Sequence, residues 1–326
     1  MNLSTSNNNF TYTAVIRTLG KAGTKYQTLL NSLKKQTILP ERILVYIAEG
    51  YPIPNETIGI EEYIYVRKGM VAQRALPYNE VKSKYILFLD DDLFLPPSFV
   101  ELLYKHLVKE QADVISPDIY PNAERPILSK ITMTLSGRML ARSNDNIWGY
   151  KVMRNSGYSY NSNPIKDIYL SQTNAGACFL IKKTDFLKIH FEEELWMDNM
   201  PYAMGDDEVM FYKMHRYGLK QLTLFNSGIK HLDAGCNLQN TEKDKTRIYC
   251  DFRFKTIFWH RFIFLPETSW LVRLWSIICL TYTFTFSLLI SLCKGQWSFF
   301  KIKFQAIRNG FKFLHSKEYK LLPLIP

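Results

Sequence analysis

Short apolar runs typical of β-strands alternate with amphipathic helical segments along the first 120 residues of the chain. A β-branched and aromatic run at residues 10–17 is followed by apolar residues at helical spacing: Tyr26, Leu29, Leu30 and Leu33. The same patterns predict strands at residues 42–48, 62–66, 85–89 and 112–117, and helices at residues 69–81 and after Ser98, where Glu101 would complete a capping box. This alternation indicates an α/β sheet that binds ligands at the carboxyl ends of its strands.

The alternation weakens between residues 120 and 170, where Asn, Ser, Gly and Tyr are frequent. We expect this stretch to form long loops that face a substrate. Residues 175–183 are again strand-like, and a short helix is predicted to begin near Thr184. Residues 204–218 predict a further helix, with Asp206 as its N-cap and Gly218 at its end.

Three consecutive aspartates, Asp90, Asp91 and Asp92, follow the apolar run of residues 85–89. Carboxylates this close repel one another unless a cation or hydrogen-bond donors neutralise them. One interpretation is a solvated acidic turn, because Asp is common in loops. The other is a site for Mg²⁺ or Mn²⁺, which bind oxygen ligands together with substrate phosphates. The position at the end of a predicted central strand favours the cation site.

A second acidic group, Asp206, Asp207 and Glu208, lies at the start of the helix predicted for residues 204–218. Acidic residues favour helix N-termini by about 0.3–1 kcal/mol each through the helix dipole, so this placement alone can be structural. One carboxylate more than capping requires could instead serve as a general base. His231 follows a short apolar run and precedes a glycine-bearing loop; it is either a structural histidine or a metal ligand.

Composition excludes several classes of protein. The five cysteines form no CxxC pair and are odd in number, which argues against a disulfide framework or a zinc site and for a reducing compartment. Residues 1–9 have neither a basic nor an apolar region, so we expect a disordered N-terminus rather than a signal peptide. Nothing in the chain matches a nucleic-acid-binding module, and we expect no nucleic-acid partner.

The net charge of +11 is concentrated in residues 241–326, which carry a net +9. Within them, residues 274–293 are uncharged, long enough at about 1.5 Å per residue to cover a bilayer core of ~30 Å. Basic residues flank the stretch on both sides: Arg253, Lys255, Arg261 and Arg273 before it, and Lys294, Lys301, Lys303, Arg308 and Lys312 after it.

Three interpretations of this apolar stretch are open. It could span a membrane, lie in or re-enter the interface of a membrane, or be a buried helix of a soluble protein. Because basic residues flank both ends, the positive-inside rule gives no orientation for a single span. We therefore favour an interfacial or re-entrant helix, attracted to anionic lipid.

In order and spacing, these motifs resemble family 2 glycosyltransferases, which have the GT-A fold. The resemblance rests on the first strand and helix, on the segment around Arg74, and on the aspartate cluster as a DxD strand end. Further along, residues 176–183 resemble the glycine-led strand, and Asp206-Asp207 lies where the family has an acidic residue followed by its catalytic aspartate. His231 matches the histidine that helps to bind the metal. The motifs predict a GT-A domain over residues 10–240 and a helical, membrane-associated region over residues 241–326.

The resemblance implies an enzyme that transfers a sugar from a nucleoside diphosphate sugar to a saccharide, with inversion at the anomeric carbon. Asp92 and His231 would hold Mg²⁺ or Mn²⁺ against the diphosphate, and Asp207 would take the proton from the acceptor hydroxyl. A membrane-associated transferase of this kind suggests a lipid-linked acceptor, such as a bacterial surface polysaccharide repeat, at the cytoplasmic face of the inner (plasma) membrane.

The resemblance also assigns residues to the two substrates. Asp90 and Asp91 would orient the ribose or the sugar of the donor, and Arg74 would reach its phosphates. The family usually has a nucleobase-binding aspartate after the second strand, and here Glu49 is the one carboxylate at that place. Trp196 and Asp206 are predicted to bind the acceptor; Asp206 replaces the more usual glutamate.

Two rival functions remain at this point. A metal-dependent nucleotidyltransferase also uses an α/β sheet with carboxylates, and the glycine-bearing segment of residues 17–25 faintly resembles its phosphate loop. Release of pyrophosphate rather than nucleoside diphosphate would identify it. A catalytically inactive carbohydrate-binding relative is the non-enzymatic alternative.

Overall fold

The computed structural model describes residues 10–119, 127–128, 131, 135, 139–143, 146–202, 204–233 and 241–326. Up to residue 119 the elements are β1 (Tyr12–Thr18), α1 (Thr24–Lys34), β2 (Arg42–Ala48), β3 (Glu61–Val66), β4 (Tyr85–Asp90), β5 (Leu93–Phe94), α2 (Phe99–Lys109) and β6 (Val114–Pro117). Those up to residue 233 are β7 (Met139–Ser143), β8 (Trp148–Val152), β9 (Tyr158–Asn163), β10 (Ile168–Ser171), β11 (Cys178–Lys182), α3 (Lys183–Leu187), a 3₁₀ helix (Phe191–Asn199), α4 (Asp206–Arg216), β12 (Gln221–Leu224) and β13 (Lys230–His231). The C-terminal elements are α5 (Thr241–Phe258), a π-helical turn (Trp259–Phe264), α6 (Trp270–Cys293), α7 (Trp297–Leu314) and α8 (Lys317–Lys320).

Two compact units divide the chain, and each is built from separate segments. The first unit comprises Met1–Tyr120, Ala175–Glu192 and Leu219–Gly235. The second comprises Pro121–Asn174, Glu193–Gly218 and Cys236–Pro326. The predicted boundary between a transferase domain and a C-terminal region at residue 240 stays a prediction.

The sheet of the first unit has the strand order β3-β2-β1-β4-β11-β6-β12 within the described residues. β1 pairs in parallel with β2 on one side and with β4 on the other. β4 also pairs with β11, which is antiparallel to it and to β6. The chain therefore changes direction across the sheet between β1 and β4, and in open α/β sheets ligands bind beyond the carboxyl ends of strands at such a switch point.

The predicted fold class is confirmed: a mixed α/β sheet that is largely parallel, consistent with a GT-A fold, and a helical C-terminal region. An aromatic cluster fixes the central strands of the first unit. Phe88 of β4 and Phe179 of β11 are register partners whose rings stack at 4.5 Å between centroids. Phe186 of α3 and Tyr78 pack against Phe88, at 4.7 and 5.3 Å between centroids.

The helix predicted for residues 69–81 is wrong, because this segment forms turns. Pro77 has no N–H to continue a helix, and Tyr78 has a positive φ of 50°. The segment is nevertheless buried, with its apolar Val71 and Ala72 in the core. The apolar residues of this segment are therefore spaced as in a helix although they belong to a loop that packs into the core.

The predicted capping box before α2 is also not formed. Ser98 precedes the helix, but its side chain makes no capping hydrogen bond. The N–H of Val100 instead donates to the side-chain oxygen of Gln36 at 3.1 Å, and Glu101 accepts a hydrogen bond from the Thr37 hydroxyl at 2.8 Å. Residues distant in sequence thus satisfy the polar groups at this helix start.

The stretch predicted as long loops contains four strands, β7 to β10, in the second unit. β8 pairs with β9 in antiparallel and with β10 in parallel orientation. Buried and partly exposed residues alternate along β9 and β10, but serine, asparagine and tyrosine occupy many of these positions. A period-two signal based on apolar side chains is consequently weak there.

The C-terminal helices of the second unit pack closely. Gly310 lies on the contact between α5 and α7, where an added Cβ would come within 2.7 Å of the Thr256 side chain. Among the described helices, α6 alone is long and apolar enough to cross a membrane, with a mean hydropathy of 1.9, although buried helices of soluble proteins share this property.

Candidate active site

The two predicted metal ligands of the first unit lie next to each other. β5 follows the aspartate cluster directly and pairs with β13 in a two-stranded ribbon, in which His231 is the register partner of Leu93. The N–H of Leu232 donates to the carbonyl oxygen of Asp92 at 2.8 Å. As a result, His231 Nε2 is 3.2 Å from Asp92 Oδ1.

This pair has the properties expected of cation ligands. Asp92 is 8% exposed, and apart from this contact with His231 its buried Oδ1 has no hydrogen-bond partner among the described residues. Contact with Asp92 raises the pKa of His231 above its ordinary value, whereas a divalent cation would bind the neutral imidazole. A carboxylate and an imidazole suit Mn²⁺ or Mg²⁺ when oxygen atoms complete the coordination.

The described residues would supply only part of such a coordination shell. Within the described ranges, no group of three or more His, Cys, Asp and Glu residues is arranged to hold a metal ion. The remaining ligands would therefore be water or the phosphate oxygens of a substrate, which is the usual arrangement where a metal bridges protein and nucleotide.

Asp90 is held by two arginines. The Nε atom of Arg17 donates to Asp90 Oδ1 at 2.6 Å, and Arg74 Nη2 lies 3.5 Å from the same oxygen. Burial raises the pKa of Asp90, but the two guanidinium groups outweigh it, so its pKa is below the usual value. Asp90 is therefore a stable carboxylate at the edge of β4.

The position of Arg74 differs from the one expected of a phosphate ligand. It is 2% exposed and donates to the carbonyl oxygen of Gly176 at 2.6 Å. The guanidinium thus braces Asp90 from inside the protein, and its predicted contact with phosphates stays a prediction. Arg17, which the sequence analysis missed, is more exposed; its signal was a lone cation at the end of an otherwise apolar strand.

Asp91 has a different environment from its neighbours. The Thr18 hydroxyl, at the end of β1, donates to Asp91 Oδ2 and accepts from the Gly20 N–H at 2.8 Å. Burial raises the pKa of Asp91 to about 6; the hydrogen bond from Thr18 opposes this shift, and the nearby Asp92 and Asp90 add to it. Asp91 is therefore mostly ionised at pH 7 and takes up a proton as the pH falls through about 6.

The predicted nucleobase residue, Glu49, is exposed just beyond β2. Close by in sequence, two ammonium groups lie near the ring of Tyr51: the Nζ atoms of Lys21 and Lys68 are each 4.9 Å from its centroid, and Lys68 donates to its hydroxyl at 2.7 Å. The hydrogen bond from Lys68 lowers the pKa of the Tyr51 hydroxyl. An aromatic ring flanked by cations suits a base and a phosphate, and the sequence analysis missed this group.

In the second unit, the predicted acidic residues open α4. Gly205 is its N-cap, with a φ of 84°, so Asp206 is the first helical residue and not the N-cap as predicted. Asp207 is half-buried in the same first turn. Glu208 Oε1 is buried without a hydrogen-bond partner in the described part of the chain, and burial, only partly opposed by Lys255, raises its pKa to about 8.

Trp196, predicted to bind the acceptor, lies in the core of the second unit. It is 4% exposed, and its indole N–H donates to Glu194 at 2.8 Å. Glu194 also binds Lys213 of α4 at 3.2 Å and Arg261 at 2.7 Å. Because the ring is buried against protein, this placement argues against direct contact with a saccharide and for a structural role beneath α4.

Residues 63–186 match the family model for glycosyl transferase family 2. The matched segment contains the aspartate cluster and Arg74, and the match supports the resemblance to family 2 glycosyltransferases that the sequence motifs indicate. Glu49, Asp207 and His231 lie outside the segment, so their roles stay predictions. A search of curated proteins found no match.

Among solved structures, a crystal structure of GalNAc-T7 with UDP, GalNAc and Mn²⁺ resembles the chain with a TM-score of 0.51 and 14% identity. It covers 78% of this chain, which spans about half, 51%, of the GalNAc-T7 chain. At this identity the similarity shows the fold alone. The structure of TarS from S. aureus matches with a TM-score of 0.44 and 12% identity, over 76% of this chain and 39% of the TarS chain. This similarity is too low to bear on the fold or the function.

Proposed function

We propose that the protein transfers a sugar from a nucleoside diphosphate sugar to a saccharide acceptor, with inversion at the anomeric carbon. The observation that carries the proposal is the contact between Asp92 and His231 at the switch point of the sheet. Asp92 lies within the segment that matches glycosyl transferase family 2. Its support also includes the fold shared with GalNAc-T7, a protein solved with UDP, GalNAc and Mn²⁺.

On the donor side, the residues of the first unit have separate roles. Asp90, held by Arg17, and Asp91, which accepts from Thr18, would orient the hydroxyls of the ribose or the sugar. Glu49 and the neighbouring Tyr51 would contact the nucleobase side of the donor. The ammonium groups of Lys21 and Lys68 are placed to bind phosphate as point charges.

Asp92 and His231 would hold Mg²⁺ or Mn²⁺. When bound, such a cation neutralises the charge that develops on the diphosphate leaving group. The two residues meet the requirement for this role because their ligand atoms face each other at 3.2 Å and one of them is otherwise unsatisfied. Removing either side chain should therefore weaken cation-dependent donor binding rather than folding.

Asp207 would act as the general base. In an inverting transfer, the acceptor oxygen forms a bond to the anomeric carbon as the bond from that carbon to the diphosphate oxygen breaks, and the hydroxyl proton passes to a carboxylate. Asp207 is half-buried in the first turn of α4. We assign acceptor contacts to Asp206 in the same turn.

We further propose a lipid-linked saccharide as the acceptor, in bacterial surface polysaccharide synthesis, and the cytoplasmic face of the inner (plasma) membrane as the location. The apolar helix α6 and the net +9 of residues 241–326 support a membrane location.

The test is a panel of nucleoside diphosphate sugars incubated with the full-length protein and Mn²⁺. We expect one donor to release nucleoside diphosphate, slowly by hydrolysis and faster with an acceptor. Release of pyrophosphate would favour a nucleotidyltransferase instead. Binding of saccharides without turnover of any donor would favour the inactive relative.

A further inference from the structure

The helix α6 has a distribution of side chains that is reversed with respect to a helix of a water-soluble protein. Its buried stripe consists mainly of hydroxyl-bearing residues at helical spacing: Ser276, Leu280, Thr283, Phe284, Ser287 and Ser291. Its outward faces carry large apolar side chains, including Trp270, Trp275, Ile278, Tyr282 and Leu289, which are 48–69% exposed. In a soluble helix the apolar stripe faces the protein and the polar face is solvated.

The polar stripe is tied to other elements of the second unit along the length of the helix. Near the middle, Asn155 in the turn between β8 and β9 donates to the Thr283 hydroxyl at 2.8 Å. Toward the end, the ammonium group of Lys303 from α7 donates to the hydroxyls of Ser287 at 3.0 Å and Ser291 at 2.8 Å. Asn155, Thr283 and Lys303 are all at least 93% buried.

These attachments are incompatible with a helix that crosses a bilayer. If α6 spanned, its middle would lie at the bilayer centre, and the β8–β9 turn bound there would be drawn in with it. That turn exposes Arg154 and belongs to a sheet, whereas lipid-facing irregular backbone and open sheet edges do not occur in the hydrocarbon region. A helix about 36 Å long that is bound side-on to a folded unit fits parallel to the membrane surface.

The charge around the outward surface of α6 and α7 is complementary to an anionic membrane. Residues 268–317, which include all of α6 and α7, contain seven Lys or Arg residues and no Asp or Glu. On α7, exposed cations and aromatic rings alternate along one stripe: Trp297, Lys301, Phe304, Arg308 and Phe311. Apolar and aromatic side chains beside cations, without carboxylates, are complementary to an anionic lipid surface.

We propose that α6 and α7 form a monotopic anchor, with α6 lying in the plane of an anionic membrane and its polar stripe bound to the protein. The proposal deepens the membrane location given above and excludes a transmembrane span. Its test needs no sugar donor, so vesicle binding without sugar transfer would leave the anchor standing and remove the proposed function.

The first experiment is sedimentation of the full-length protein with vesicles of phosphatidylcholine, with or without phosphatidylglycerol. We expect binding to the anionic vesicles that falls with salt, and at least about tenfold weaker binding for the double variant Trp275→Glu/Ile278→Glu. The matched control, Leu39→Glu/Val108→Glu, alters two exposed apolar residues of the first unit and should bind like the unaltered protein. Equal loss in both variants, or no preference for anionic lipid, would overturn the proposal.

The second experiment measures depth in the bilayer. A nitroxide is attached to a single cysteine at the start, middle or end of the outward face of α6, in a background with Cys236, Cys279 and Cys293 changed to serine: Leu271→Cys, Ile278→Cys or Leu289→Cys. An in-plane helix predicts similar shallow depths for the three labels. A label that is deepest at position 278 and shallow at both ends would show a span and overturn the proposal.

Discussion

Two acidic residues, Asp90 and Glu208, show how neighbouring charges decide the protonation of a carboxyl group. Asp90 lies between the guanidinium groups of Arg17 and Arg74, which lower its pKa despite burial. Burial raises the pKa of Glu208 to about 8. Lys255 lowers this pKa only in part, and the carboxylate of Asp251 raises it further. Sequence showed both carboxylates but not their partners, because these partners are 16 to 73 positions away.

Glu208 predicts a pH dependence of stability. In the folded protein it keeps its proton up to about pH 8, whereas the unfolded chain loses it near pH 4.5. Between these values the folded state binds more protons, so this contribution is fully present below pH 4.5 and is lost as the pH rises toward 8. Glu208→Gln removes the ionisable group. The free energy of unfolding of this variant should therefore exceed that of the unaltered protein by an amount that grows with pH, to at most about 3 kcal/mol at pH 7.

The measurement is the Tm of both proteins from pH 5 to pH 8, where we expect the two curves to diverge as the pH rises. Glu242→Gln is the control, because Glu242 is an exposed carboxylate of α5 and its removal should shift the Tm evenly. Parallel curves for Glu208→Gln and the unaltered protein would show that Glu208 is ionised in the fold.

Asp207 predicts a separation of catalysis from binding. Asp207→Asn keeps the shape of the side chain and its place in α4 but cannot accept the proton of an acceptor hydroxyl. We expect transfer to be abolished, while the Kd of the nucleoside diphosphate changes by less than about threefold, since uniform binding does not depend on the base. Turnover at the rate of the unaltered protein would exclude Asp207 as the general base.

At the scale of elements, sequence patterns worked where one residue class formed one face. The strands β1 to β4, β6 and β11 and the helix α4 follow apolar runs or helical spacing, and they were predicted. Patterns failed where the buried side chains were polar or did not follow a regular period. The helix expected at residues 69–81 is a buried loop, and the loops expected at residues 120–170 include strands rich in serine, asparagine and tyrosine.

The site divides in the same way. Asp92 and His231 were predicted as a pair, and the ribbon of β5 and β13 brings them together. Arg17, Thr18 and Tyr51 were not assigned to the donor site, because each becomes part of it only through contacts with residues distant in sequence. Trp196 was assigned to the acceptor from its aromatic neighbourhood, but pairing of its N–H with Glu194 places it in the core.

The two glycines that flank α4 give a matched pair of stability predictions. Gly205 has a φ of 84°, and a Cβ there would meet the ring of Phe254 at 2.3 Å. Gly218 has a φ of 80°, but a Cβ there would meet nothing within 4 Å. Gly218→Ala should therefore cost only the strain of the left-handed conformation, about 1–2 kcal/mol.

Gly205→Ala adds a steric overlap to that strain, so we expect a loss of about 3 kcal/mol or more. Thermal or urea unfolding of both variants measures the difference. Equal destabilisation would mean that the start of α4 moves away from Phe254 without cost, and that Gly205 does not fix the position of Asp207.

At the scale of the whole molecule, the two units carry different parts of the proposed reaction. The first holds the aspartate cluster and His231, and the second holds Asp207 and the apolar helix α6. Each feature alone has a structural explanation, as the dipole of α4 shows for its acidic residues. The central claim of the proposed function is that sugar transfer depends on a divalent cation held by Asp92 and His231.

The most direct test of this claim is the release of nucleoside diphosphate from the donor that the panel identifies. Release is measured in excess EDTA and again after Mn²⁺ is restored. We predict that EDTA stops release, that Mn²⁺ restores it, and that Asp92→Asn recovers less than about a tenth of the rate at the same Mn²⁺ concentration. Full turnover in excess EDTA would contradict the account.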